Sequence, residues 1–146
     1  MQKKTSKKLY LILFSIAAIA ILSSVNFAQA GNIDNPTPLK SRVLTGELVG
    51  NSNKEYFYSF IAGPGEFIVT ADVATTNYNS TLDVTLISNA NNGSGFVASA
   101  VHKGTDRGSK IFNTSKKKKI VMKLKDFSAS DGTFKITLSG AVALPK

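Results

Sequence analysis

The chain has 146 residues, with 18 basic and 9 acidic side chains, a formal net charge of +9, one histidine and no cysteine. Without cysteine the protein has no disulfide bonds. No metal ligands are predicted, because zinc sites rely on cysteine and histidine side chains. Packing and backbone hydrogen bonds must therefore stabilise the fold.

The first thirty residues have the anatomy of a secretory signal peptide. Four lysines open the segment, an apolar run follows at residues 9–22, and a small-x-small cleavage motif ends at Ala30. The run is shorter than the roughly 20 residues of a membrane-spanning helix, so cleavage is favoured over the alternative, an uncleaved membrane anchor. We predict a cleaved signal helix at 1–30, no transmembrane segment after cleavage, and a secreted or periplasmic protein.

Cleavage would leave a chain of the size of one domain. Residues 31–146 hold 14 basic and 9 acidic side chains, a net charge of about +5. This excess is milder than the strongly basic composition of nucleic-acid-binding domains. Because Pro36 and Pro38 interrupt regular structure, we predict an extended leader at 31–41 and a single domain at 42–146.

Short stretches of alternating apolar and polar residues recur along the predicted domain. A period of two is typical of half-buried strands, and no stretch shows the period of an amphipathic helix. The predicted strands are residues 42–49, 55–61, 66–75, 81–88, 96–102, 110–112, 119–126 and 133–139. Seven to eight such strands predict an all-β fold, an antiparallel β-sandwich or barrel.

One aromatic stretch organises this pattern. Tyr56, Tyr58 and Phe60 share one strand face and are core candidates, whereas Phe57 faces the other way. The segment Gly63-Pro64-Gly65 then predicts a sharp reversal into the next strand, because its glycines tolerate positive φ. Phe57 is therefore the ring of this stretch that remains a candidate for binding.

These strands resemble the bacterial pre-peptidase C-terminal domain family. The family pattern combines an aromatic strand, a small-residue turn with Gly, an alternating strand, a Leu-x-Val/Leu-x-Leu strand and a closing Gly-x-Tyr/Phe-x-Leu/Ile-x-Leu/Val strand. In this chain the pattern falls on residues 56–60, 62–65, 67–73, 82–86 and 132–138. The resemblance implies a jelly-roll-like β-sandwich without catalytic residues.

Members of that family usually follow a secreted hydrolase, and some bind collagen, polysaccharide or calcium. Here we expect the sandwich to stand alone behind its signal, and Asp34 is the only acid of the leader. No cofactor is predicted. Calcium is the alternative, with oxygen ligands from Asp72, Asp83 and the asparagine-rich loop at residues 89–92.

No catalytic residues are predicted, and the protein is not expected to be an enzyme. The single histidine, His102, lies near Asp106 in the sequence, but no Gly-x-Ser-x-Gly elbow supplies a nucleophile. A surface histidine is the favoured interpretation, and a small hydrolase is the least favoured function.

A lysine-rich segment is the strongest candidate for binding. We call it the lysine ridge, and it consists of Lys116, Lys117, Lys118, Lys119, Lys123 and Lys125. It suits an anionic polysaccharide, lipid headgroups or a nucleic-acid backbone; the alternative is a solvated turn with lysines that prevent edge aggregation. Because no aromatic residues are interleaved with it, no nucleic acid is expected.

The sequence therefore predicts a secreted, non-catalytic β-sandwich binding module. We expect a monomer that contacts a polysaccharide or a protein partner at the cell envelope through the lysine ridge and Phe57. The alternative is a structural or secretion-accessory protein without a defined ligand.

Overall fold

The computed structural model describes residues 31–89 and 92–145. The predicted signal peptide at 1–30 lies outside the described residues, as do residues 90, 91 and 146. Across the two described ranges, no helix has the length and apolar character needed to cross a membrane.

The described residues fold into eight β-strands. Their bounds are β1 (Thr37–Pro38), β2 (Val43–Leu48), β3 (Glu55–Thr75), β4 (Ser80–Asn89), β5 (Asn92–Ala100), β6 (Thr105–Thr114), β7 (Lys118–Asp126) and β8 (Gly132–Ala143). Only the short β1 pairs in parallel, with β3, and the other neighbours are antiparallel. The predicted all-β antiparallel fold is confirmed.

Strand β3 belongs to both layers of the sandwich. Its first half, residues 55–62, pairs with β7, which pairs in turn with β4, and β4 with β5. Its second half, residues 65–75, pairs with β6 on one side and with β8 on the other, and β2 lies beyond β8. We call the first group, with β1, layer A, and the second group layer B.

The Gly63-Pro64-Gly65 segment bends β3 but does not reverse it. Positive φ angles at Gly63 (78°) and Gly65 (115°) redirect the strand, and residues 63–66 form a bulge opposite Ala141 of β8. The two halves of β3 do not pair with each other: β7 pairs with the first half and β6 with the second, while β8 pairs with the second half and with Ile61 and Ala62. The predicted sharp reversal is therefore wrong, because the glycines carry the chain from one layer to the other.

The facing side chains of the two layers fill the interior. The predicted core residues Tyr56, Tyr58 and Phe60 are buried. Phe60 meets Phe67 edge to face, with ring centres 5.8 Å apart, where β3 passes between layers. Burying each such side chain stabilises the fold by about 1.5–3 kcal/mol. Burial, followed by the charge of Tyr56, raises the pKa of Tyr58 to about 12.

A buried carboxylate connects the end of β7 to the turn between β2 and β3. Asp126 is fully buried. Its carboxylate accepts hydrogen bonds from Val49 N (2.8 Å), Ser52 Oγ (2.8 Å) and Ser128 N (2.9 Å). Three donors compensate for the loss of hydration. The network fixes the start of β3 beside β7.

The predicted leader, residues 31–41, lies along the first half of β3. Its strand β1 pairs with Tyr58 and Ser59. Leu39 N donates to Ser59 O at 2.9 Å, and the Leu39 side chain joins the core. The leader therefore covers part of a sheet edge that would otherwise offer unpaired backbone groups.

Candidate functional site

Strand β7 divides the lysine ridge between two surfaces. Side chains alternate along the strand, and β7 directs Ile120, Met122 and Leu124 into the core. The opposite face of β7 carries Lys119, Lys123 and Lys125. Lys116 and Lys117 are exposed in the connection before the strand. The side chain of Lys118 is on the same strand face as Ile120, which points inward, and it is partly buried.

The outer face of layer A forms a continuous row around Phe57. Lys123 of β7 stands opposite Phe57 of β3 on one side and Thr85 of β4 on the other. All three side chains are partly buried. Directly opposed side chains on one face lie about 5 Å apart, so one ligand can contact a ring, an ammonium group and a hydroxyl group together.

Glu55 neutralises part of the lysine ridge. Its Oε1 lies 3.4 Å from Lys123 Nζ and 3.5 Å from Lys125 Nζ. Lys125 Nζ also lies 4.5 Å from the centre of the exposed Phe127 ring. Exposed ion pairs contribute at most about 1 kcal/mol. Three exposed lysines of the ridge have no carboxylate partner among the described residues: Lys116, Lys117 and Lys119.

Lys118 lines a cavity at one end of the sandwich. The cavity measures about 320 Å³ and lies among β4, β5, β6 and β7. Its apolar wall includes Phe112, whose ring stacks on Phe67 with centres 5.2 Å apart. Ser88 and Ser94 add hydroxyl groups to the lining, whereas the Oγ1 of Thr114, which also lines the cavity, is shielded and faces Gly63. The cavity thus combines an apolar wall, hydroxyl groups and one cation.

Sequence reasoning treated the lysine ridge as a single unit and missed this cavity. One signal was present in the sequence. Lys118 lies two residues before the apolar residue Ile120, so the two side chains point to the same face of a strand. The contribution of Ser94 carried no such signal, since residues 89–95 were predicted as a loop and not as the start of β5.

His102 and the nearby acid do not form a catalytic group. His102 is exposed, and its ring contacts Tyr78 edge to face at 6.2 Å. The Asp106 carboxylate instead accepts a hydrogen bond from Ser99 N at 2.9 Å. In the part of the chain that the structure describes, no three His, Cys, Asp or Glu side chains are grouped so that they could hold a metal ion.

The two aspartates considered for calcium lie on opposite layers. Asp72 is on the outer face of layer B, where Arg107 Nε donates to it at 2.5 Å and lowers the pKa of Asp72. Asp83 is on layer A, opposite Lys125. Strand β4 pairs with β5 and β7 and not with β3, so these two carboxylates do not face a common ion. Residues 90 and 91 of the asparagine-rich loop lie outside the described residues.

A larger cavity of about 660 Å³ opens at the opposite end of layer B. Its lining carries both signs of charge, with Glu47 and Asp131 alongside Lys103. This mixture gives it no preference for an anionic or a cationic ligand.

No family model matches the chain, and no curated protein matches it. A solved structure that is similar to it is the pre-peptidase C-terminal domain of collagenase from Bacillus anthracis, with a TM-score of 0.46 and 14% sequence identity. The match covers 70% of this chain and 90% of that one. It falls in the domain family that the sequence resembles.

Proposed function

We propose that this chain is a non-catalytic binding module that contacts an anionic polysaccharide at the cell envelope or outside the cell. The row of Phe57, Lys123 and Thr85 beside the unpaired lysines supports this proposal most strongly. The ammonium groups attract the acidic groups of the polymer. The ring of Phe57 offers an apolar contact for the C–H face of a sugar, and the hydroxyl of Thr85 a hydrogen bond.

The layout of the charges favours an extended polymer over a folded protein partner. Outward residues two apart on a strand are separated by about 6.6 Å, so Lys123 and Lys125 repeat along β7 as charges repeat along an acidic polysaccharide. Protein interfaces instead depend on a central cluster of large apolar or aromatic anchors. Phe57 is one partly buried ring and does not form such a cluster.

Salt elution from immobilised polygalacturonate tests the proposal. The variant Lys116→Ser/Lys117→Ser/Lys119→Ser removes the unpaired lysines without touching the core. At roughly 0.5 kcal/mol for each exposed charge pair, we expect about tenfold weaker binding and elution at lower salt.

A variant of equal charge provides the control. Lys40→Ser/Lys54→Ser/Lys135→Ser removes three exposed lysines from outside the lysine ridge. We expect it to elute much closer to the unmodified protein. Equal loss of retention in both variants would show that net charge alone governs binding, and would refute the proposed surface.

A further inference from the structure

We propose that the cavity beside Lys118 binds one sugar acid, a uronic acid unit at the end of the polysaccharide chain. This inference rests on the proposed function and adds a second site with a defined class of ligand. Four features of the cavity support this ligand: its size, its apolar wall, its serine hydroxyl groups and the position of one cation.

The cavity has the size and the walls of a small-molecule site. Its volume of about 320 Å³ falls within the range of roughly 300–1,000 Å³ that ligand pockets occupy. Phe112 and Leu86 line it with apolar surface, against which the C–H face of a pyranose ring can pack. The stacking of Phe112 on Phe67 holds that wall in place.

Thr114 contributes a hydroxyl group that the protein leaves unsatisfied. The residue lines the cavity and is buried, and its Oγ1 has no hydrogen-bond partner within the described residues. Gly63 makes room for this oxygen, since a side chain at residue 63 would collide with it. This oxygen is shielded from solvent and faces Gly63, so the hydroxyl groups available to a ligand are those of Ser88 and Ser94, which also line the cavity.

Lys118 is the cation available to a carboxylate in this cavity. The neighbouring Lys110 Nζ already donates to Ser94 Oγ at 2.7 Å and to Gly95 O at 3.3 Å. It thereby orders the wall, whereas Lys118 has no acidic partner in the described part of the chain. A neutral sugar would leave Lys118 unpaired, and the tail of a simple fatty acid would form no hydrogen bond with Ser88 or Ser94.

The adjacent Lys119 joins this cavity to the proposed polysaccharide surface. Successive strand residues point to opposite faces, so Lys118 faces the cavity and Lys119 the outer face of layer A. A chain that lies along the outer face and turns over the end of β7 would bring its terminal sugar to the cavity.

Titration of the protein with galacturonate, followed by NMR, tests this inference. We expect shifted resonances for Phe112, Thr114 and Lys118, and much smaller changes with galactose, which lacks the carboxylate. Lys118→Gln should raise the Kd for galacturonate at least about tenfold, as expected for a lost charged hydrogen bond. The matched variant Lys135→Gln, at an exposed lysine of layer B, should leave that Kd unchanged.

Three results would overturn the inference: no shift in the cavity, equal effects of galactose and galacturonate, or equal weakening by Lys118→Gln and Lys135→Gln. The two proposals fail separately. A protein that retains polygalacturonate but does not bind galacturonate refutes the cavity alone. A protein that binds galacturonate in the cavity but does not retain the polymer supports the cavity and refutes the outer-face surface.

Discussion

At the scale of single residues, Asp126 determines where the candidate surface begins. Its carboxylate receives three hydrogen bonds, from Val49, Ser52 and Ser128, in a site with no exposure to solvent. Glu55 begins β3 just after this turn, and it pairs with Lys123 and Lys125. A residue that contacts no ligand thus places the outward residues of β3 next to β7.

Replacing Asp126 by alanine should destabilise the protein strongly. The change leaves three donors without their acceptor, which costs about 3 kcal/mol or more in the free energy of unfolding. Urea denaturation measures that loss. Asp131→Ala is the matched control. Asp131 is exposed and its carboxylate accepts one hydrogen bond, from Gly50 N at 3.0 Å, so its loss should cost about 1 kcal/mol. Similar losses in both variants would contradict the role assigned to Asp126.

At the scale of elements, the bend in β3 makes the two layers parts of one continuous strand. Gly63 and Gly65 both adopt positive φ, yet their surroundings differ. A Cβ at Gly63 would lie 1.8 Å from Thr114 Oγ1, whereas the nearest atom to a Cβ at Gly65 is Ala141 Cβ at 3.4 Å. The first position is therefore restricted by packing as well as by backbone conformation.

The two glycines allow these contributions to be separated. We expect Gly65→Ala to lower the free energy of unfolding by about 1–2 kcal/mol, the cost of a left-handed backbone at a residue with a side chain. Gly63→Ala should add about 1–3 kcal/mol for overpacking against Thr114. Thermal or urea unfolding measures both. An equal or larger loss for Gly65→Ala would show that the clash with Thr114 is relieved at no cost.

The sequence predicted the faces of strands better than their ends. Alternation placed Phe60 inside and Phe57 outside correctly, because a period of two depends only on the strand itself. Residues 92–95 and 105–109 were predicted as loops from their glycine and polar content, but they lie in β5 and β6. There, pairing with β4 and β3 outweighs local propensity. At Gly95 the β4 backbone approaches so closely that a Cβ would lie 2.3 Å from Val84 O.

The candidate site was predictable to a similar extent. Alternation predicted which lysines point outward. It could not predict that Phe57 lies opposite Lys123, because this contact depends on the pairing of β3 with β7. The ion pairs of Glu55 and the cavity depend on cross-strand neighbours. No local pattern in the sequence specifies which strands become neighbours.

At the scale of the whole molecule, the edges of the two layers approach each other without forming a backbone ladder between β5 and β6. Side chains connect these strands instead. Lys110 donates to Gly95 O, and Asp106 accepts from Ser99 N. The cavity beside Lys118 opens near this seam, where side chains rather than paired backbones define the wall.

We expect ligand binding on the outer face of layer A and in the adjoining cavity. Mapping of backbone amide shifts during titration with an oligogalacturonate tests this placement most directly. We expect the largest shifts in β7, in the first half of β3 and around Thr114, and unchanged resonances at Asp72, Arg107 and Lys135 on layer B. Shifts concentrated on layer B, or no shifts on β7 at saturation, would contradict the account.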